Sequence, residues 1–183
     1  MSTQPPLLDK SSDGQIVLRS LADTQLLARA LAELLKPGES VALSGEMGAG
    51  KTTLVRLIVG ALNGPEGHVA SPSFSLQNEY RLPSGILIEH WDLYRVREAP
   101  LELLEDKPNN AIRLIEWPER ISGYLDSRNF FNLHVALSTN ETGERLVALN
   151  GENSAALINR LNVTIYDISR VSPKPLPRDG FPG

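Results

Sequence analysis

Residues 44–53 read Ser44-Gly45-Glu46-Met47-Gly48-Ala49-Gly50-Lys51-Thr52-Thr53, between a short apolar run, Val41-Ala42-Leu43, and an amphipathic run reaching Leu62. From Gly45 to Thr52 the stretch fits G-x-x-x-x-G-K-[ST] without a gap, in the strand, loop and helix setting that this motif needs. Glycines at 48 and 50 let the backbone take positive φ and curl around an anion, so that successive amide N–H groups point at phosphate oxygens. A helix opening at Lys51 adds its unpaired first-turn amides and the positive end of its dipole. Lys51 then serves as a mobile point charge for the β- and γ-phosphates. Thr52 offers a hydroxyl to Mg²⁺, which prefers oxygen ligands and keeps several waters. Gly48, Ala49, Gly50, Lys51, Thr52 and Thr53 are thus the expected phosphate-binding residues, with Lys51 also placed in the catalytic set.

Working outward, 183 residues suit one domain with a sizeable core. Apolar content of 41% and charged content of 22% describe a soluble globular protein. A formal net charge of −4 argues against a dedicated nucleic-acid binder, which carries a basic field to collect phosphates. No DNA partner is expected, and contact with RNA is expected only through another protein. The chain has no cysteine, which excludes disulfides and thiolate metal sites. No apolar run reaches the roughly 18 residues of a membrane span, and the N-terminus lacks a signal pattern, so the expected location is cytoplasmic.

Local patterns supply the elements. Residues 1–14 are rich in Pro, Ser, Gln and Asp without periodicity, and are expected to form a flexible segment. Gln15 to Arg19 reads as a short strand. Ser20-Leu21-Ala22-Asp23 has the form of a capping box with Asp in place of Glu, opening a helix whose Leu27, Ala30, Leu31 and Leu34 share one face until Lys36-Pro37-Gly38. Glu39 to Ser44 is the strand feeding the loop, and Lys51 to Leu62 the helix leaving it. Beyond the turn at 63–67, Ser73 to Tyr80 and Ile86 to Asp92 read as a hairpin. Val96 to Asp106 suggests a short helix interrupted by Pro100. Ala111 to Glu116, Asn132 to Leu137 and Arg145 to Leu149 read as strands, Ser154 to Leu161 as a helix, and Asn162 to Ile168 as a last strand. Residues 171–183 hold four prolines and read as a flexible tail. Residues 15–170 are thus expected to form one α/β, P-loop NTPase-like domain: a small, mostly parallel sheet flanked by helices, with an added antiparallel hairpin.

Nucleotide turnover needs an acid opposite the loop, to hold Mg²⁺ and water. Glu116 follows the apolar Leu114-Ile115 and precedes Trp117-Pro118. Proline ends the strand there, which leaves the carboxylate at the sheet's C-terminal edge, where open α/β sheets bind ligands. Asp92 ends another apolar run and could reach Mg²⁺ through water or orient the attacking water, or else form a cap or an ion pair with Arg95. Ser71-Pro72-Ser73 lies where nucleoside triphosphatases place a segment that orders on the γ-phosphate. His68, His90 and His134 show no metal-ligand spacing and are read as core or surface residues. Trp117 is read as a packing residue.

The chain resembles the TsaE (YjeE) family of bacterial ATPases, which take part in making N6-threonylcarbamoyladenosine at position 37 of tRNA. Four ordered pieces carry the resemblance: Gly45 to Thr53; Ser71-Pro72-Ser73-Phe74 with Asn78-Glu79-Tyr80; His90-Trp91-Asp92-Leu93-Tyr94-Arg95; and Ile115-Glu116-Trp117-Pro118-Glu119-Arg120. It implies nucleotide on Gly48 to Thr53, Mg²⁺ on Thr52 and Glu116, a switch segment around Ser71 and Ser73, and Asp92 as a residue needed for ATPase activity. It further implies an arginine from a C-terminal hairpin at the nucleotide, for which Arg145 aligns best. The implied partners are the TsaB and TsaD proteins, whose complex is reset by ATP hydrolysis. Ser73 stands where the family usually has threonine, Trp91 where it has phenylalanine, and the link between Arg95 and Glu116 is shorter than usual.

A small-molecule kinase on the same scaffold is the alternative. Such kinases bring an arginine-rich lid over the phosphates, whereas here the region after Asp92 is acidic and apolar apart from Arg95 and Arg97. A GTP-dependent switch would call for an Asn-Lys-x-Asp motif, which the chain lacks.

Overall fold

The computed structural model describes residues 15–105, 108–122, 124 and 133–150. The elements in chain order are β1 (Ile16–Leu18), α1 (Leu21–Leu34), β2 (Ser40–Ser44), α2 (Lys51–Ala61), β3 (Gln77–Arg81), β4 (Leu87–Asp92), α3 (Leu101–Leu104), β5 (Ala111–Glu116), β6 (Leu133–Thr139) and β7 (Arg145–Asn150). Short 3₁₀ turns lie at Glu66–His68 and Pro118–Ile121. Segments 1–14 and 171–183, the helix expected at Ser154 to Leu161 and the strand expected at Asn162 to Ile168 lie outside the described residues.

The strands form one mixed sheet in the order β1-β7-β6-β2-β5-β4-β3. Its centre, β6-β2-β5-β4, is parallel, and antiparallel neighbours flank it on both sides: β3 beside β4, and β7 with β1 beyond β6. Parallel strands must be joined by crossovers, and α1 and α2 together with the connecting segments supply them. The three strands β2, β5 and β4 therefore end side by side at one edge, with Leu43 opposite Glu116 and Glu116 opposite Asp92.

Alternation along the strands sends successive side chains to two different cores. Val41, Leu43, Ile112 and Leu114 pack with Leu27, Leu31, Leu54 and Ile58 of α1 and α2. Ile115 and Trp91 join Leu93, Leu103 and Ile121 in a smaller cluster. At 11 residues α2 is too short to persist alone, since isolated helices below about 12–15 residues are marginal. Burying Leu54 and Ile58 completely, worth about 1.5–3 kcal/mol each, is what holds it on the sheet. The start of α1 is the expected capping box: Asp23 N–H donates to Ser20 Oγ at 3.2 Å, and Ser20 N–H to Asp23 Oδ2 at 2.9 Å.

Some boundaries differ from expectation. The strand expected from Ser73 starts only at Gln77, because Leu76 takes φ +66° and its N–H donates to Pro72 O at 2.7 Å. That turn bends the chain away from the ladder, so residues 71–76 form a loop over the sheet edge. The helix expected across Val96 to Asp106 is reduced to the single turn of α3, and Asp106 lies outside the described residues. Pro100 caps that turn and so starts the helix where an interruption was expected, because proline's missing N–H is harmless there. The feeding strand begins at Ser40, one residue after the expected Glu39, and the strand expected over Asn132 to Leu137 runs on to Thr139.

Candidate functional site

A cavity of about 310 Å³ opens at the edge where β2, β4 and β5 end. Its floor is the loop after β2. Gly48 and Gly50 adopt φ +82° and +105°, the left-handed region the loop requires. Gly50 is the N-cap of α2, no side chain caps the helix, and its first turn has no acidic residue. The positive end of α2 is therefore directed at the cavity with no carboxylate of its own turn to neutralise it. Lys51 lies buried, its Nζ donating to Gly45 O at 2.8 Å and Glu46 O at 2.9 Å, and the ammonium sits 3.8 Å from the centroid of the Trp117 ring. Burial pushes the Lys51 ammonium below lysine's ordinary pKa, against the opposing pull of Glu116, Glu119 and Asp92.

The wall opposite the loop carries the acids. Thr52 Oγ1 donates to Glu116 Oε1 at 2.8 Å, which joins the start of α2 to the end of β5. The same Oε1 lies 2.9 Å from His90 Nε2. Asp92 Oδ2 accepts hydroxyls from Ser71 and from Ser73, the latter at 2.7 Å, and its Oδ1 accepts the Tyr94 N–H at 3.0 Å. Burial alone would raise the Asp92 carboxyl, but the two serine hydroxyls, the Tyr94 amide and the nearby His90 together hold it below the usual carboxylate value.

Glycines 48 and 50, Lys51, Thr52, Thr53, Ser71, Ser73, Asp92 and Glu116 thus all line one cavity. Ala49 is buried in the loop behind them. Arg145 reaches the loop from β7, two strands away from β2, with its Nε donating to Ala49 O at 3.2 Å. Arg95 does not pair with Asp92; its guanidinium lies 4.5 Å from the centroid of the exposed Phe74 ring. Two side chains read from sequence as core or packing residues also belong to the site. His90 is fully buried and bound to Glu116. Trp117 packs against the smaller core and also covers Lys51, its backbone turned to φ +61°. Tyr94, whose ring packs against Trp117 at a tilt of 49° with centroids 4.9 Å apart, lines the cavity as well. Sequence carried one signal for these three: each lies within two residues of Asp92 or Glu116.

A glycine-rich loop between a central parallel strand and a helix, with acids at the ends of the adjoining strands, defines a P-loop-type α/β protein. The family model described as threonylcarbamoyl adenosine biosynthesis protein TsaE matches residues 18–147, and the chain belongs to that family. The family takes part in tRNA threonylcarbamoyladenosine biosynthesis. The chain is 34% identical over 140 residues to the Rickettsia prowazekii tRNA threonylcarbamoyladenosine biosynthesis protein TsaE, covering 74% of this chain and 94% of the relative. It is 38% identical over 114 residues to the protein of the same description from Rickettsia felis, covering 60% of this chain and 66% of that one. The match thus spans just under two thirds of the R. felis relative's own length. The crystal structure of Bacillus subtilis YdiB shares the fold, with a TM-score of 0.61 and 24% identity over 81% of this chain and 95% of that one. Among the described residues no helix is long and apolar enough to cross a membrane.

Proposed function

We propose that this chain binds ATP with Mg²⁺ and hydrolyses it as an accessory protein in the threonylcarbamoylation of adenosine 37 in tRNA, acting with the TsaB and TsaD proteins. The observation that carries the hydrolytic part is the 2.8 Å link from the loop's Thr52 hydroxyl to the Glu116 carboxylate, which sets a hard oxygen donor pair beside a buried lysine. Among the described residues no group of three or more His, Asp or Glu could hold a metal by itself. Two oxygen ligands without a full protein cage suit Mg²⁺, which leaves most of its positions to waters and substrate phosphates. Thr52 and Glu116 would hold the ion, and when bound it would neutralise charge on the transferring phosphoryl oxygens.

The chain's own groups supply the rest. The amides of Gly48 to Thr53 cradle the β-phosphate, and Lys51 leaves the Gly45 and Glu46 carbonyls to meet the β- and γ-oxygens. Asp92 holds Ser71 and Ser73 at the cavity mouth, where they sense the γ-phosphate, and either Asp92 or Glu116 orients the attacking water. Arg145 approaches the same loop from β7. The formal net charge of −4 supports contact with tRNA only through the partner complex.

Titration of a fluorescent ATP analogue with and without Mg²⁺ tests the site. Lys51→Ala removes charge-assisted hydrogen bonds worth about 1.5–3 kcal/mol, so affinity should fall roughly 10- to 100-fold. A wild-type chain without ATP affinity overturns the proposal. Phosphate passed to a metabolite and not to water would favour the kinase alternative. Pull-down with TsaB and TsaD, with and without ATP, tests the biological role, and nucleotide-independent absence of association would refute it.

A further inference from the structure

His90 is buried to 0% exposure on β4, one strand in from the sheet's β3 edge, diagonally across from Glu116 on β5. Among the described residues only one of its ring nitrogens has a partner. Nε2 lies 2.9 Å from Glu116 Oε1, while Nδ1 is buried with no hydrogen-bond partner. A histidine kept for packing alone would be better replaced by an apolar side chain, which leaves no ring nitrogen unpaired. The ring's one polar engagement is with Glu116. An ionised carboxylate can only accept, so His90 Nε2 carries the hydrogen and donates it.

Glu116 Oε1 therefore receives two donors, Thr52 Oγ1 at 2.8 Å from the loop and His90 Nε2 from inside the sheet. Two donors on one oxygen fix the rotation of the carboxyl group, and leave Oε2 without a hydrogen bond among the described residues. The Thr52 hydroxyl is a soft constraint, because it rotates and is itself a candidate metal ligand. The imidazole is a rigid one, because it cannot move in a fully buried position.

We propose that His90 is a positioning residue for Glu116, holding the carboxylate in the orientation in which it and Thr52 together meet the magnesium ion of bound nucleotide. The proposal rests on the Mg²⁺-dependent nucleotide site inferred above. Partners behind a metal ligand commonly govern metal affinity 10- to 100-fold, and His90 stands in that relation to Glu116.

Two substitutions separate positioning from packing. Glutamine can set its amide N–H near the place of Nε2, whereas asparagine is one methylene short, although both bury the same polar group. With the full chain, the Mg²⁺ concentration that half-saturates tight binding of a fluorescent ADP analogue should rise about tenfold in His90→Asn and stay within about threefold of wild type in His90→Gln. Nucleotide affinity without Mg²⁺ should be alike in all three. Equal Mg²⁺ requirements for the two variants, or a matching loss of metal-free affinity, would overturn the proposal.

A second measurement needs neither nucleotide nor a substitution at His90. In the ¹⁵N-histidine NMR spectrum of the free protein, His90 should carry its proton on Nε2, and Glu116→Gln should move that resonance. A ring protonated on Nδ1 alone, or an Nε2 signal indifferent to Glu116→Gln, refutes the positioning role whatever the nucleotide titrations show. If the NMR result holds but wild type binds no nucleotide, the ATP-binding proposal is what fails, together with the metal-directed purpose assigned to His90.

Discussion

Asp92 holds three hydrogen bonds with two oxygens, and that makes it the residue whose protonation the fold should feel most directly. Its folded-state pKa lies below the usual value, so its contribution to stability is fully present above about pH 4. It is lost as pH falls through the depressed folded value. In Asp92→Asn the serine hydroxyls face a neutral acceptor, and the loss of a charge-assisted bond is worth about 1.5 kcal/mol at pH 7. The melting temperature of the variant should therefore lie below wild type at pH 7, with the gap narrowing as pH falls below about 4, as followed by circular dichroism. A gap that stays constant across that range would remove Asp92 as the titrating group. Both Asp92 and Glu116 were legible as acids ending apolar runs, and the structure sets them at one sheet edge. Their hydrogen-bond partners were not legible. That Asp92 would take Ser71 and Ser73 in place of Arg95 depends on the turn at Leu76, whose positive φ no pattern of side chains announces.

At the scale of elements, the loop after β2 is packed against β6 as well as open to the cavity. A Cβ added to Gly45 would collide with Leu137 O, a backbone atom that cannot swing aside. A Cβ at Gly48 would meet nothing within 4 Å and suffer only its left-handed φ. Gly45→Ala should therefore destabilise the protein by about 3 kcal/mol, against about 1–2 kcal/mol for Gly48→Ala, read from urea unfolding. Equal losses would mean that the loop moves freely relative to β6. The motif fixes glycine at 45 and 50 and leaves 48 open, but it does not say which neighbour each glycine must clear. Packing against a strand some ninety positions later is a separate demand, made by the fold. The helices were more legible: the Ser20–Asp23 box and the apolar spacing of α1 and α2 are local features, and both helices form where those features lie.

At the scale of the molecule, the smaller core is pinned by charge. Arg113 on β5 donates through Nε to Glu89 on β4 at 2.6 Å, and through a terminal nitrogen to Leu103 O at 2.8 Å, with both side chains buried. This ties α3 and the segment after it to the sheet from the side opposite α1 and α2. Removing one partner leaves a buried charge, so Glu89→Gln should cost about 3–5 kcal/mol. The double change Glu89→Leu with Arg113→Met should recover much of that, and a double variant as unstable as the single one in urea would contradict this account. In Arg113→Met the amides of 101–105 should lose hydrogen-exchange protection before the central strands do.

Sequence alone determined the glycine-rich loop, the two flanking helices and the acids at the ends of apolar runs, because glycine φ, capping and hydrophobic period act over a few residues. The tertiary structure decided the strand order, and with it which groups meet. Thr52 and Glu116 are 64 positions apart, His90 and Glu116 are 26 apart, and Arg145 and Ala49 are 96 apart. Those encounters depend on strand neighbours and register, which only the closing of long loops onto a shared sheet can set.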